Sequence, residues 1–151
     1  MNLIKQAGDH LEFQLSKRER DLMLQVLQFY PQIPAGYQPL SKTAGGSDSN
    51  QRLLDEALEE ARFQNKTQLQ RLLSDSGRFS RSAAGNWHLR LSSAELDWLL
   101  QVLNDIRVGS WLKLGSPEKP LHSLNGENAP YIWAMEMSGY FQGGFLEMLE
   151  K

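Results

Sequence analysis

The sequence contains two similar segments, and their spacing limits the folds that the chain can adopt. Residues 15–27 align with residues 91–103 at a spacing of 76, and eight of the thirteen aligned positions are identical. Each copy continues from an alternating, strand-like run into an amphipathic helix. The chain of 151 residues is therefore predicted to contain two halves, 10–74 and 86–150, each built as strand, capped helix, connection and long helix.

Both copies carry the same signal for the start of a helix. Ser16 is followed three residues later by Glu19, and Ser92 is followed in the same way by Glu95. In this capping box, the serine and the glutamate side chains each accept a hydrogen bond from the other residue's backbone N–H. The two helices also share an aspartate and a glutamine that capping does not require. We therefore favour a true repeat over two unrelated amphipathic helices.

Apolar periodicity, prolines and glycines place the remaining elements. A hairpin with its turn at Gly8-Asp9 is predicted over residues 2–15, and residues 74–85 are interpreted as a loop. We expect a single domain over 1–151, mainly α in an α+β class, with four helices in a bundle-like layer on a small antiparallel β element. The predicted helices span 16–30, 50–73, 92–114 and 130–150; the strands are the hairpin and 86–91, which should pair with 10–15 or be related to it by symmetry; a mobile connection spans 31–48.

The composition disfavours several classes of protein. There is no cysteine, which excludes a disulfide framework and Cys-ligated zinc. No run of 18 apolar residues occurs and the first residues do not form a signal peptide, so we expect a soluble cytoplasmic protein. A formal net charge of -2 disfavours nucleic-acid binding. No cofactor or metal is predicted, because the three histidines are isolated and the glycine-rich segment lacks the Walker lysine: these residues are His10, His88, His122 and Gly45-Gly46-Ser47.

Polar side chains interrupt the apolar stripes of the last two predicted helices. Steps of 100° per residue place Arg107 within the leucine-rich face of helix 92–114. The same procedure places Ser138 and Gln142 on the apolar face of helix 130–150. Buried polar groups are costly unless they find partners. The sequence therefore predicts a buried polar network of Arg107 and Gln142, with Ser138, Asn104 or Glu136.

This predicted network has two interpretations, one structural and one functional. It fixes the register of the two helices, which is the commoner use of buried polar side chains, or it forms a site for a small anion around Arg107. Gly139 and Gly143, four residues apart, predict a close approach by another helix, with a homodimer contact as the second interpretation.

A basic and aromatic cluster supports a different function. Arg78, Arg81 and Arg90 lie near Phe79 and Trp87 in the sequence. A nucleic-acid-binding regulator would use such a combination to contact phosphates and bases. A solvated loop is the alternative, and the negative net charge favours it.

The absence of a recognisable catalytic motif favours a binding function. We expect a non-enzymatic protein-interaction module of regulatory or adaptor type, which uses the aromatic residues outside the apolar stripes: Trp98, Trp133 and Tyr140. A nucleic-acid-binding regulator and an anion-binding protein or enzyme centred on Arg107 are the alternatives.

The C-terminal half also resembles a known family. This pattern is similar to DUF2017, a bacterial family of unknown function, over residues 92–150. The resemblance implies a small cytoplasmic helical protein without catalytic residues. Because members are often encoded beside an adaptor of an ATP-dependent protease, it also implies an accessory role in proteolysis. The motifs are Leu103-Asn104-Asp105-Ile106-Arg107, Leu114-Gly115, Tyr131-x-Trp133, and Gln142 with Leu146 and Leu149; their polar positions add Asp105 to the candidate site of Asn104, Arg107, Ser138 and Gln142.

Overall fold

The structure, a computed structural model, describes residues 1–33, 48–75, 77–118 and 126–150. It has the α+β class that the sequence predicts. Most of the predicted connection 31–48, including its glycine-rich segment, lies outside the described residues, as does His122. Within the described ranges, no helix is long and apolar enough to cross a membrane. The elements are β1 (Asn2–Ala7), β2 (His10–Leu15), α1 (Lys17–Leu27), α2 (Asp48–Ser74), β3 (Phe79–Arg81), β4 (Trp87–Ser92), α3 (Ser93–Lys113) and α4 (Ala129–Leu149).

The four strands form one antiparallel sheet in the order β1-β2-β4-β3. Side chains of a strand point alternately to opposite faces, and here the alternation puts apolar residues on one face. The helices supply the rest of the core on that side. The buried sheet residues are Leu11, Phe13 and Leu15 on β2 with Leu89 and Leu91 on β4.

The pairing register of the sheet has the same spacing as the sequence repeat. Phe13 pairs with Leu89, 76 residues later, at the middle of the β2–β4 ladder. On one side of this pair, Leu3 pairs with Phe13. On the other side, Phe79 pairs with Leu89, and both partners are again displaced by 76 residues. The predicted pairing of strands 10–15 and 86–91 is confirmed, and it is the pairing expected for two repeats related by a local twofold axis.

One strand was not expected from the sequence. Residues 74–85 contain β3, which the polar composition had indicated to be part of a loop. The strand has only three residues, too few to show an alternating pattern, and it forms by pairing with β4. This pairing brings Phe79 against the core.

Both predicted capping boxes are present. The Oγ atom of Ser16 accepts a hydrogen bond from the backbone N–H of Glu19 at 3.1 Å, and that of Ser92 accepts one from Glu95 at the same distance. Arg78 donates to the Glu95 carboxylate at 2.6 Å. Burial raises the pKa of Glu95, but the hydrogen bonds from Ser92 and Arg78 outweigh it and lower the pKa below its ordinary value.

The two capped helices differ in length. α1 ends at Leu27, three residues before its predicted end, because the N–H groups of Phe29 and Tyr30 bond to carbonyls only three residues back and tighten the chain. At the spacing of 76, Leu27 corresponds to Leu103, but α3 continues to Lys113. Residues 104–113 of α3 therefore have no helical counterpart after α1.

The chain after α1 packs directly on α3. Gly109 is buried, and a Cβ atom placed on it would lie 2.4 Å from the backbone carbonyl carbon of Gln32. Two residues in the same segment, Gln32 and Ile33, donate their backbone N–H groups to the carboxylate of Asp105 at 2.7 and 3.3 Å. This glycine and this carboxylate fix residues 32–33 against the helix.

We expect Gly109→Ala to lower the free energy of unfolding by about 1–3 kcal/mol, because the added methyl group must displace backbone. The matched control is Gly143→Ala on α4, where nothing lies within 4 Å of the added Cβ. That change should be neutral or raise stability by up to about 1 kcal/mol through helix propensity. Urea unfolding followed by circular dichroism measures both, and equal stabilities for the two variants would contradict the close contact at Gly109.

Candidate interaction site

The first half of α2 has an apolar surface that the rest of the described protein leaves exposed. Every residue from 52 to 61 is exposed except Asp55, which is half-buried. The exposed fractions are 64% for Leu53, 42% for Leu54, 38% for Leu58 and 73% for Phe63. Apolar side chains on a helix normally face a partner, and a cluster of exposed ones typically marks an interaction surface.

The second half of α2 is attached to the domain. Leu69 and Leu72 are buried in the core. Between the attached and the exposed halves, the Asn65 side chain accepts a hydrogen bond from the indole N–H of Trp98 and donates one to the hydroxyl of Tyr30, both at 3.1 Å. This amide links α2 to α3 and to the end of α1.

Asn65 is a site residue that the sequence analysis missed. It lies four residues after Ala61 and four before Leu69, within the apolar stripe of α2. A polar residue inside an apolar stripe was the signal used for α3 and α4. The same signal applied to α2 identifies Asn65.

A cleft of about 340 Å³ lies between α2 and α3 beside this amide. We call it the α2–α3 cleft. Its wall combines apolar side chains with a carboxylate, a guanidinium and amides, as ligand-binding clefts commonly do. The lining residues that matter for function are Leu58, Ala61, Arg62, Asn65, Val102 and Asp105.

Asp105 supplies the charged group at the inner end of the cleft. Burial raises the pKa of this carboxyl above its ordinary value, although the N–H groups of Gln32 and Ile33 and the charge of Arg62 lower it in part. The carboxylate thus serves two purposes, since it anchors the backbone of residues 32–33 and also lines the cleft.

The corresponding place in the other half of the repeat is filled. At the spacing of 76, Asp105 corresponds to Phe29, and Ala57 corresponds to Trp133. Phe29 and Trp133 pack against each other with 5.9 Å between ring centroids. In the first half of the repeat both large side chains are replaced, and a cleft occupies this region.

The predicted network around Arg107 is not buried, and this prediction is wrong. Arg107 is exposed, and its guanidinium reaches the Oδ1 atom of Asn104 at 3.5 Å. Gln142 donates to the same oxygen at 3.5 Å. Both distances are at the limit of a hydrogen bond. Three of the predicted residues therefore meet only at the solvent edge of the α3–α4 contact.

The error comes from the assumed centre of the α3 stripe. The buried residues include Val102, Gly109 and Ser110, which widen the stripe on the side away from Arg107. Arg107 therefore lies on the edge, where a long side chain extends to solvent while its stem packs on a neighbour. Its Cδ atom would lie 3.7 Å from a Cβ on Gly139.

The other predicted members have different roles. Ser138 is fully buried, but it donates to the carbonyl of Ala134 in its own helix at 2.7 Å. Asp105 faces the cleft rather than α4. The close approach predicted at Gly139 and Gly143 is also wrong: the first has only ordinary contact, and nothing lies near the second.

The predicted basic and aromatic cluster is divided among separate contacts. Arg78 forms salt bridges with Asp75 and Glu95, and Arg90 lies 3.7 Å from Glu12. Arg81 lies exposed on β3. The two aromatic rings, Phe79 and Trp87, face a different cation, because the guanidinium of Arg20 lies 5.8 and 4.0 Å from their centroids.

The three aromatic residues expected at the surface also have partners. Trp98 and Trp133 are half-buried against the core. Tyr140 is exposed, but its hydroxyl donates to Glu19 at 3.0 Å. Among the described residues, no group of three or more histidine, aspartate or glutamate side chains is arranged to hold a metal ion. The exposed apolar surface is on α2 instead.

No family model matches the chain, and neither a curated protein nor a solved structure is similar to it. The resemblance to DUF2017 therefore stays a prediction.

Asp105→Ala should lower the free energy of unfolding by about 1–3 kcal/mol, because two backbone N–H groups lose their acceptor. Asp105→Asn keeps an oxygen in the same place without the buried charge. The folded-state pKa of Asp105 lies above the ordinary value of 3.8, so between these two pKa values the folded state binds more protons and this carboxyl makes stability fall as pH rises.

The stability of Asp105→Asn relative to the unmodified protein should consequently increase as the pH rises through that window and become constant above it. Urea unfolding of both proteins from about pH 3 to pH 7 measures this difference. A difference that is independent of pH would contradict the burial of the carboxyl.

Proposed function

We propose that this protein is a non-enzymatic interaction module whose α2–α3 cleft receives an aromatic side chain from a partner protein. The supporting observation is the difference between the two halves of the repeat. One half packs Phe29 on Trp133, whereas the other half, with Asp105 and Ala57 at these positions, has a cleft. A side chain of similar size from a partner completes the packing that the fold already uses elsewhere.

The shape of the apolar surface favours a protein segment over a compact small molecule. Leu58 lines the cleft, and Leu54, one helical turn away, continues the apolar strip towards the start of α2. Both side chains are exposed. An amphipathic helix that places one aromatic residue in the cleft and its neighbours on this strip covers the whole surface.

The charge of α2 indicates the character of the partner. Residues 52–61 contain four acidic side chains, Asp55, Glu56, Glu59 and Glu60, and a single basic one, Arg52. Charges at the rim of an interface steer association and select partners of the opposite sign. The partner helix should therefore carry lysine or arginine beside its apolar face.

The resemblance to DUF2017 implies an accessory role near an adaptor of an ATP-dependent protease. A module that binds a short basic helix fits such a role, because adaptors and their accessory proteins act by holding other chains. The nucleic-acid and Arg107-centred alternatives receive less support, since the arginines of the first are paired with acids and Arg107 is exposed.

The test uses a fluorescein-labelled amphipathic peptide of about 15 residues, with one tryptophan on its apolar face and lysines beside it. Fluorescence anisotropy should show saturable binding, with a Kd of roughly 1–100 µM. Replacing the tryptophan by alanine should weaken binding at least about tenfold, or 1.4 kcal/mol. Replacing the lysines by glutamates should also weaken it.

Two substitutions on the protein should block the same peptide. Leu58→Glu puts a charge into the apolar strip, and Ala57→Trp supplies from within the chain the side chain that the partner would provide. Phe63→Ser, on the other side of α2, is the matched control and should leave peptide binding unchanged. Absence of saturable binding, or equal binding of the peptide without tryptophan, would disprove the proposed function.

A further inference from the structure

The outer surface of α2 carries a second apolar side chain with charges on either side. Phe63 is 73% exposed. It lies two residues from Asn65 and six from Leu69, positions that face the domain, so steps of 100° per residue put it on the opposite side of the helix. We call this surface the Phe63 face, and its residues are Asp55, Glu60, Phe63, Lys66 and Arg71.

The Phe63 face is uncovered because α1 is short. The residue of α4 that corresponds to Phe63 is Gly139, and it is covered by Arg107 in the long C-terminal part of α3. The contact continues along both helices, since the ammonium of Lys113 lies 5.3 Å from the ring of Tyr131. α1 ends before a corresponding contact with α2 can form.

The charges of α2 are divided along its length. Four of the five charged residues from 52 to 61 are acidic, whereas the charged residues from 62 to 74 are Arg62, Lys66 and Arg71. Two such helices placed side by side and parallel would bring like charges together. In the antiparallel arrangement, the acidic half of each helix faces the basic half of the other.

We infer that the Phe63 face binds the same face of a second copy of this chain, with the two α2 helices antiparallel. This pairing goes beyond the proposed function, because it uses the side of α2 opposite to the α2–α3 cleft. A twofold axis at Phe63 stacks the two phenylalanines on each other. Two copies related in this way make an isologous, closed dimer.

The positions of the charges match this axis. Glu60 and Lys66 lie three residues on either side of Phe63, so Glu60 of one chain lies level with Lys66 of the other. Asp55 and Arg71 lie eight residues on either side and match in the same way. Each of the two ion pairs occurs twice in the dimer. The surface of one helix pair is small for a stable dimer, so association should depend on concentration.

The experiment is sedimentation equilibrium of the full chain from about 1 µM to about 500 µM. The unmodified protein should pass from monomer to dimer within this range. Phe63→Ser should remove the dimer, and Lys66→Glu should weaken it at least about tenfold, since it places an acid opposite Glu60 of the second copy. The double variant Glu60→Lys/Lys66→Glu restores opposite charges and should recover most of the affinity.

Circular dichroism and urea unfolding establish that each variant keeps its fold. Leu58→Glu, which should block the peptide at the cleft, is the matched control here and should leave the dimer intact. A monomer at every concentration overturns this inference, as does a double variant that associates no better than Lys66→Glu. Peptide binding at the cleft is measured separately, so either result leaves the proposed function untouched.

Discussion

The antiparallel pairing of β2 with β4 is the contact on which the rest of the fold depends. Phe13 and Leu89 pair at its centre, and both are fully buried. Each strand ends at a serine-capped helix start, so the ladder also fixes where α1 and α3 begin relative to each other. Because every apolar side chain of the two strands points to the same face, both helices pack on that face. α4 and the end of α2 complete the core from the same side.

The two halves share this plan but are closed in different ways. In the second half, α3 is long enough to pack along α4, and in the first half the chain leaves the helical path after Leu27 and crosses α3 at Gly109. The carboxylate of Asp105 holds this crossing by accepting two backbone hydrogen bonds. One departure from the repeat therefore accounts for the exposed outer face of α2, and the replacement of Phe29 by Asp105 at the inner face accompanies the cleft.

The candidate site was predicted less well than the fold, for a reason that is visible in individual residues. Periodicity locates a stripe but not its centre, because it does not show which flank a neighbouring helix covers. Arg107 lies on the flank that stays open to solvent, whereas Ser110, on the other flank, is buried. Asp105 was selected through a family resemblance and belongs to the site for another reason, its bonds to residues 32–33. Asn65 carried a usable signal, but β3 carried none, since three residues show no period.

The sequence by itself determined the elements whose causes are local. Ser16 with Glu19 and Ser92 with Glu95 begin the two capped helices, alternating apolar residues form β2 and β4, and the spacing of 76 residues relates the halves. The tertiary structure alone decided which side chains of these elements lack a neighbour. The exposure of Phe63 and Leu58 depends on where α1 stops and where the following residues pack, and these contacts join residues more than 70 positions apart. Local patterns fix the conformation of a segment, but only the packing of distant segments decides which of its faces is left uncovered.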